Sequence, residues 1–199
     1  VIHPGVNLSR FENVSRCDDG KTLINVARIR PGKRQIFLIY LVHSLRRLEG
    51  FKGVKLILCG ASDSKPYLYK LHKVLNELGL KDRIIIIEDF EDEFLGHLLS
   101  KSTLYLHPSP ETFGISIVEA MATGLPVIVY NRGGQRDIVL HGVNGFLAGD
   151  DPKEWINYIS TLLTDDKLYS RMSKMARETA KRFSWDNVVN KLLRLLTSQ

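Results

Sequence analysis

No run of about 18 consecutive apolar residues occurs, so nothing in the chain reads as a membrane-spanning helix. The opening residues lack the basic, then apolar, then small-residue order of a secretory signal. The chain opens on Val1 without an initiator methionine, and we expect it to begin partway through a longer polypeptide. Two cysteines, Cys17 and Cys59, are too few for a disulfide framework and lack the paired spacing of a zinc site. Cys59 closes an apolar run and reads as a small buried hydrophobe, and the thiols suit a reducing, cytoplasmic setting. The six histidines are scattered without ligand spacing, so no metal is expected. Two glycosylation sequons, at Asn7 and Asn13, are patterns that arise by chance and are discounted without a signal peptide. A Gly-x4-Gly-Lys phosphate loop is absent, and no Gly-x-Gly-x-x-Gly follows the first expected strand. The latter argues against a dinucleotide oxidoreductase.

What is present is an ordinary globular composition, 44% hydrophobic and 25% charged, in 199 residues. That length suits one α/β domain, residues 1–199, with a full core. The net charge of +6, from 28 basic and 22 acidic residues, favours an anionic partner. Nucleotide, nucleic acid and acidic lipid all satisfy it.

Apolar periodicity alternates between strand and helix. Strands are expected at 21–27, 54–59, 83–87, 103–106 and 126–130. The second carries the apolar run Leu56–Cys59, and the four consecutive isoleucines of the third, Ile84–Ile87, suit a strand buried on both faces. Helices are expected at 33–48, 66–78, around Phe94–Leu99 and at 115–122, the last stopped by Gly124 and Pro126. Asn144-Gly145 is a turn signal. Beyond Asp150 the pattern becomes helical: a face of Trp155, Ile159 and Leu162, a basic helix over 170–182, and a last helix within 183–199 capped by Ser184. Alternating strands and helices imply βαβ units, hence a Rossmann-like parallel sheet with helices on both faces and a C-terminal helical extension. Ligands of such sheets lie beyond the carboxyl ends of the strands.

The loops at those ends carry the chemistry. His107-Pro-Ser-Pro-Glu-Thr-Phe-Gly-Ile-Ser-Ile-Val-Glu119 runs from a strand into a helix. The amides of Phe113, Gly114 and Ile115 would lie free at the helix start, donors at the positive end of its dipole. Gly114 lets a ligand approach the backbone. Glu111 before the helix and Glu119 within it can each accept two hydrogen bonds, which suits neighbouring sugar hydroxyls. Taken singly, either acid could instead complement the helix dipole or sit solvated. After the first strand, Arg28-Ile-Arg-Pro-Gly-Lys33 offers a forked cation and a mobile one, together able to neutralise a diphosphate. A solvated basic loop is the plainer reading. His107 could line this cleft or simply pack.

Glu111 to Glu119 resembles the Glu-x7-Glu motif of the group-one retaining glycosyltransferases, whose GT-B architecture pairs two Rossmann-like domains. Flanking matches follow in order: His3-Pro4-Gly5-Val6-Asn7, like the linker into that family's C-terminal domain; Arg28 and Lys33; Glu119-Ala-Met-Ala-Thr-Gly-Leu-Pro-Val127; Gly133-Gly134; and Asn144-Gly-Phe-Leu147. The resemblance covers nearly the whole chain. It implies that Arg28 and Lys33 bind the donor diphosphate and that Glu111 holds hydroxyls of the transferred sugar, aided by the amides of Phe113, Gly114 and Ile115. It also implies that Glu119 holds the ribose, that Gly60 lets the chain pass close to the nucleotide, and that Phe90 lies near the base. It implies transfer with retention, a nucleotide-sugar donor as substrate, no bound metal and no cofactor. An N-terminal acceptor domain would then be missing from this chain, with the 183–199 helix reaching toward it. The chain departs from the family pattern at Ala27 and Arg34, where glycine is usual, at Glu88, which bears on base recognition, and at Asp137.

Arg171, Lys174, Arg177 and Lys181 form a basic stripe on one helix. It is either a solvated face or a peripheral contact with anionic lipid on the cytoplasmic membrane face. The alternatives to a transferase are a non-catalytic nucleotide-binding module of the same fold and a basic nucleic-acid-binding domain. No aromatic-interleaved basic motif supports the latter, so nucleic acid is not expected as a partner.

Overall fold

The structure, a computed structural model, describes residues 3–12 and 19–197. The sequon at Asn13 and Cys17 lie outside them. Six strands form one parallel sheet: β1 (Thr22–Val26), β2 (Lys55–Cys59), β3 (Ile84–Ile87), β4 (Leu104–His107), β5 (Val127–Tyr130) and β6 (Gly145–Ala148), in the order β3-β2-β1-β4-β5-β6. The helices are α1 (Ser9–Glu12), α2 (Gln35–Leu45), α3 (Lys65–Glu77), α4 (Asp92–Ser100), α5 (Ile115–Ala122), α6 (Pro152–Thr164), α7 (Asp166–Lys181) and α8 (Trp185–Thr197).

Successive strand residues point to opposite faces, and the core divides accordingly. Leu23, Leu56, Leu104 and Ile128 face one cluster, filled by Leu38 and Leu41 of α2, Leu71 of α3 and Trp155 of α6. Ile24, Tyr105, Val127 and Val129 face the other, filled by Leu98 of α4, Ile117 and Met121 of α5 and Ala176 of α7. Every residue of β4 and β5 is buried, as two covered faces require.

β3 corrects the expectation of a strand buried on both faces. It is the sheet's edge, Ile84 is its one fully buried residue, and Ile85 is 56% exposed. An isoleucine run marks a strand but not its place in the sheet, and a strand paired on one side alone is covered incompletely. β6 and α1 are additions to the expected elements. Between its two small end residues β6 offers only Phe146 and Leu147 as an apolar signal.

Helix starts follow local chemistry. Ser64 accepts the Tyr67 amide at 3.3 Å ahead of Pro66, Asp151 accepts that of Lys153 at 2.9 Å, and Asp165 that of Leu168 at 2.9 Å. Ser184 caps α8 through the Asn187 amide at 3.3 Å. The helix expected from residue 33 begins at Gln35. Pro31–Lys33 form a 3-10 turn instead, and Arg34 is left-handed with φ 58°. No residue of α8 is buried, and Trp185, Leu193 and Leu196 are all exposed. The basic stripe on α7 is incomplete as a free surface: the half-buried Arg177 donates from Nη2 to the Thr123 carbonyl at 2.9 Å. No helix among the described residues is long and apolar enough to cross a membrane.

Candidate functional site

The strand order reverses between β1 and β4, which pair through Leu23 with Leu104 and Ile24 with Tyr105. In open parallel sheets that reversal leaves a crevice at the carboxyl ends of the two strands. The loop after β1 carries Arg28 and Lys33, and the loop after β4 carries Glu111, so topology alone brings residues 78 positions apart to one place.

Lys33 Nζ donates to Glu111 Oε1 in an ion pair with both side chains largely covered. His107, the last residue of β4, donates from Nε2 to the same oxygen at 2.6 Å. Partial burial pushes the Glu111 carboxyl upward, but the bonds and charges of His107 and Lys33 outweigh it and hold the group down at about 2. Glu111 is therefore an ionised acceptor. Its Oε2 accepts no hydrogen bond among the described residues.

Glu111 is positioned from behind by the loop after β5. Its amide donates to Gln135 Oε1 at 2.8 Å, and its carbonyl accepts from the Gly134 amide at 2.7 Å. A Cβ built on Gly134 would overlap the Thr112 carbonyl oxygen, so the Gly133-Gly134 element exists for close docking against the Glu111 loop. Behind His107, the buried Tyr105 hydroxyl lies 3.2 Å from Nδ1, 2.8 Å from Ser116 Oγ and 3.1 Å from the Val26 carbonyl. Burial raises the Tyr105 phenol well above its usual range, keeping it neutral.

α5 begins at Gly114, φ 110°, without a side-chain cap. The amides of Phe113, Gly114 and Ile115 donate to no group among the described residues, and Ile115 is exposed. The Phe113 ring turns away into the core, stacked on His3 at 5.3 Å and edge-on to Phe183 at 5.4 Å. Glu119 lies half-buried in the second turn of α5, close enough for its charge to bear on Tyr105. Arg28 and Lys33 do not share a partner. Arg28, 66% exposed, points Nη1 at Asp63 at 3.4 Å, and its carbonyl accepts from Gln35 Nε2 at 2.9 Å. Gly60, φ 144°, meets another need besides room for a ligand: a Cβ there would overlap the Ala27 carbonyl at the end of β1. Phe90 is half-buried against the second core cluster, beside the left-handed Asp89.

The polar floor of this crevice can accept hydroxyl hydrogens at Glu111, and its rim offers cations and open amides to an anion. No group of three or more His, Cys, Asp or Glu able to hold a metal occurs among the described residues. Residues 9–179 match the family of glycosyl transferases group 1. The chain belongs to the group 1 glycosyl transferases. It is 32% identical to the D-inositol 3-phosphate glycosyltransferase of Xylanimonas cellulosilytica, covering 97% of this chain and 49% of that protein. It is 31% identical to the GDP-Man:Man(3)GlcNAc(2)-PP-Dol alpha-1,2-mannosyltransferase of Dictyostelium discoideum, covering 87% and 36%. The crystal structure of Anabaena HepE in complex with UDP and glucose superposes with a TM-score of 0.85 at 26% identity, covering all of this chain and 56% of that one. The sheet and helices are thus those of a Rossmann-like GT-B domain. The chain spans at most about half the length of these curated relatives and corresponds to their C-terminal half.

Within this group 1 glycosyl transferase the departures from pattern have local explanations. Ala27 stands where glycine is usual, but its φ is not positive, so a Cβ costs little. Arg34 does take up the left-handed turn that glycine would favour, and it is held there by the rings of Phe37 and Tyr130, at 5.1 and 5.0 Å, and by Asp150 at 3.0 Å. Glu88 is exposed, and Asp137 closes a 3-10 turn running from Gly134. Nothing in the sequence alone singles out Gln135, Tyr105 or Ser116. The one signal for Gln135 is its place directly after Gly133-Gly134.

Proposed function

We propose that this chain is the donor-binding domain of a retaining glycosyltransferase. It binds a UDP-, GDP- or ADP-sugar and presents it for transfer of a hexose to a glycan, lipid or other acceptor held by an N-terminal domain. The observation that carries this reading is the ionised Glu111 bound to Lys33 at the sheet's reversal point, beside the open amides of α5. The Anabaena relative crystallised with UDP and glucose supports a nucleotide-sugar ligand.

In this reading Lys33 and Arg28 face the diphosphate, the α5 amides and Glu111 face the sugar, Glu119 takes the ribose, and Gly60 and Phe90 border the nucleotide. Cleaving the sugar–phosphate bond gathers negative charge on the departing diphosphate. Fixed donors there stabilise the transition state more than the ground state. Losing one such contact costs about 2.7–4 kcal/mol of barrier, or about 10²–10³ in rate. Arg28 and Lys33 take the place of a metal, so EDTA should leave donor affinity unchanged. Glu111 positions the sugar and does not act as a base. The exposed apolar face of α8 turns toward the N-terminal domain. The enzyme works in the cytoplasm, with Arg171, Lys174 and Lys181 of α7 meeting anionic lipid. Co-sedimentation that is equal with neutral and acidic vesicles would dismiss that contact.

Calorimetric titration of the chain with UDP, GDP and ADP and their sugars, repeated on Glu119→Ala, tests the reading. Selective binding of one nucleotide family, weakened by the substitution, is expected. Binding that is unselective, or indifferent to Glu119, counts against it.

A further inference from the structure

Lys33 and His107 converge on one oxygen of Glu111, and they are held very differently. Lys33 reaches in from a 3-10 turn on a flexible four-carbon stem. The His107 ring is fixed. Its side chain is 1% exposed, and Tyr105 lies nearly parallel to it, at 8°, with the hydroxyl 3.2 Å from Nδ1. Around this ring the hydrogen bonds close in two ways. With Nδ1 bare, the Tyr105 O–H donates to it, and the Ser116 hydroxyl donates to the Tyr105 oxygen. With a proton on Nδ1, that N–H donates to the Tyr105 oxygen, and the Tyr105 proton turns to the Val26 carbonyl. In both arrangements Nε2–H still points at Glu111, with the buried Ser109 Oγ 3.3 Å from Nε2 as its other polar neighbour.

We propose that His107 is a positioning residue for Glu111: its Nε2–H holds Oε1 in place while Lys33 leaves the carboxylate for the phosphates of a bound nucleotide sugar, so that Oε2 stays aimed at a sugar hydroxyl. This rests on the donor-binding reading above. Lys33 cannot serve the carboxylate and a diphosphate equally, and a half-buried carboxylate that loses its partners is costly to keep ionised. His107 removes that conflict. Its loss should therefore be felt in recognition of the sugar and not in recognition of the nucleotide.

The test compares wild type, His107→Asn and His107→Gln by calorimetric titration with UDP against UDP-glucose and GDP against GDP-mannose. A glutamine amide can reach where Nε2 stands, whereas an asparagine amide falls near Nδ1, short of Glu111. In the Asn variant the ratio of sugar-nucleotide to bare-nucleotide affinity should fall about tenfold or more, the size expected of a lost bond to a charged group. The Gln variant should restore it, and bare-nucleotide affinity should hold throughout. An unchanged ratio in His107→Asn, or equal weakening of both ligands, overturns the positioning role. If wild type binds neither nucleotide, the donor-binding reading itself fails, and the inference with it. Should His107→Asn not fold, Tyr105→Phe asks the same question by freeing the ring from its lock; an unchanged ratio there also overturns the proposal.

Discussion

Gln135 Oε1 accepts the backbone amide of Glu111 at 2.8 Å, so the loop after β5 holds the loop after β4. The same side chain donates from Nε2 to the Ser109 and Tyr130 carbonyls, at 3.0 and 2.9 Å, and is wholly buried. One neutral amide thus satisfies three backbone groups around the candidate site, two in the loop after β4 and one at the end of β5.

Gln135→Met keeps the volume and strands those partners away from water. Each unsatisfied buried group costs about 1–3 kcal/mol, partly relieved by local movement, so we expect a total loss of about 2–4 kcal/mol in urea denaturation. Sugar-nucleotide binding should weaken as the Glu111 loop loosens. A variant as stable as wild type would show that the Gln135 bonds exchange freely with water.

Gly134 and Gly32 make a matched pair. A methyl on Gly134 runs into the Thr112 carbonyl and the Phe113 backbone, while one on Gly32 meets nothing within 4 Å. Gly134→Ala should cost about 3 kcal/mol, as overpacking against backbone does, lowering Tm by roughly 6–12 °C in a chain of this size. Gly32→Ala, at a φ that is not positive, should be neutral or stabilising by about 0.4–1 kcal/mol. Similar Tm values for the two variants would refute the docking account of the Gly133-Gly134 element.

The fold is legible wherever burial imposes a period: β1, β2, β4 and β5 and the helices α2 to α6 lie within a few residues of their apolar patterns, while α7 begins four residues ahead of the basic stretch expected at 170–182. The errors share a cause. β6 and the edge position of β3 are decided by which strands find each other in space, and a four-residue segment carries little record of that. The site divides in the same way. Lys33 and Glu111 stand out in the sequence because they lie in the stretches that follow expected strands and resemble the family's motifs. Their pairing across 78 positions follows from topology. Gln135 and Tyr105 act through neutral bonds to distant backbone, which leave no local pattern. Arg28 reads in sequence as a companion of Lys33, yet it turns to Asp63, an acid that no motif singles out.

Arg34 occupies a left-handed position, φ 58°, at a cost of about 1 kcal/mol relative to glycine. Its contacts over the Phe37 and Tyr130 rings return about 0.5–1 kcal/mol each, while the exposed pair with Asp150 adds little. Arg34→Ala keeps the strain and loses the rings, and should cost about 1–2 kcal/mol. Arg34→Gly loses the rings but relieves the strain, and should lie within about 1 kcal/mol of wild type. Chemical denaturation of both variants decides it, and an alanine variant more stable than the glycine one would contradict the account.

Glu111 makes stability depend on pH with a definite sign. Its carboxyl is held at about 2 in the folded chain against an ordinary value of 4.5, so the folded state favours the ionised form. The resulting stabilisation is fully present above pH 4.5 and is lost as pH falls through 4.5 toward 2. Each tenfold change in proton affinity corresponds to about 1.4 kcal/mol, and partial exposure of the group reduces the return, so the contribution is on the order of 2 kcal/mol. Glu111→Gln removes the titration and leaves an acceptor of the same shape facing Lys33 and His107. Urea midpoints for the two proteins should differ most at neutral pH, with wild type the more stable, and should converge as the pH is lowered toward 2. Parallel profiles through that window would mean that Lys33 and His107 release Glu111 into solvent. The carboxylate would then not be held in the pose that recognition of a sugar hydroxyl requires.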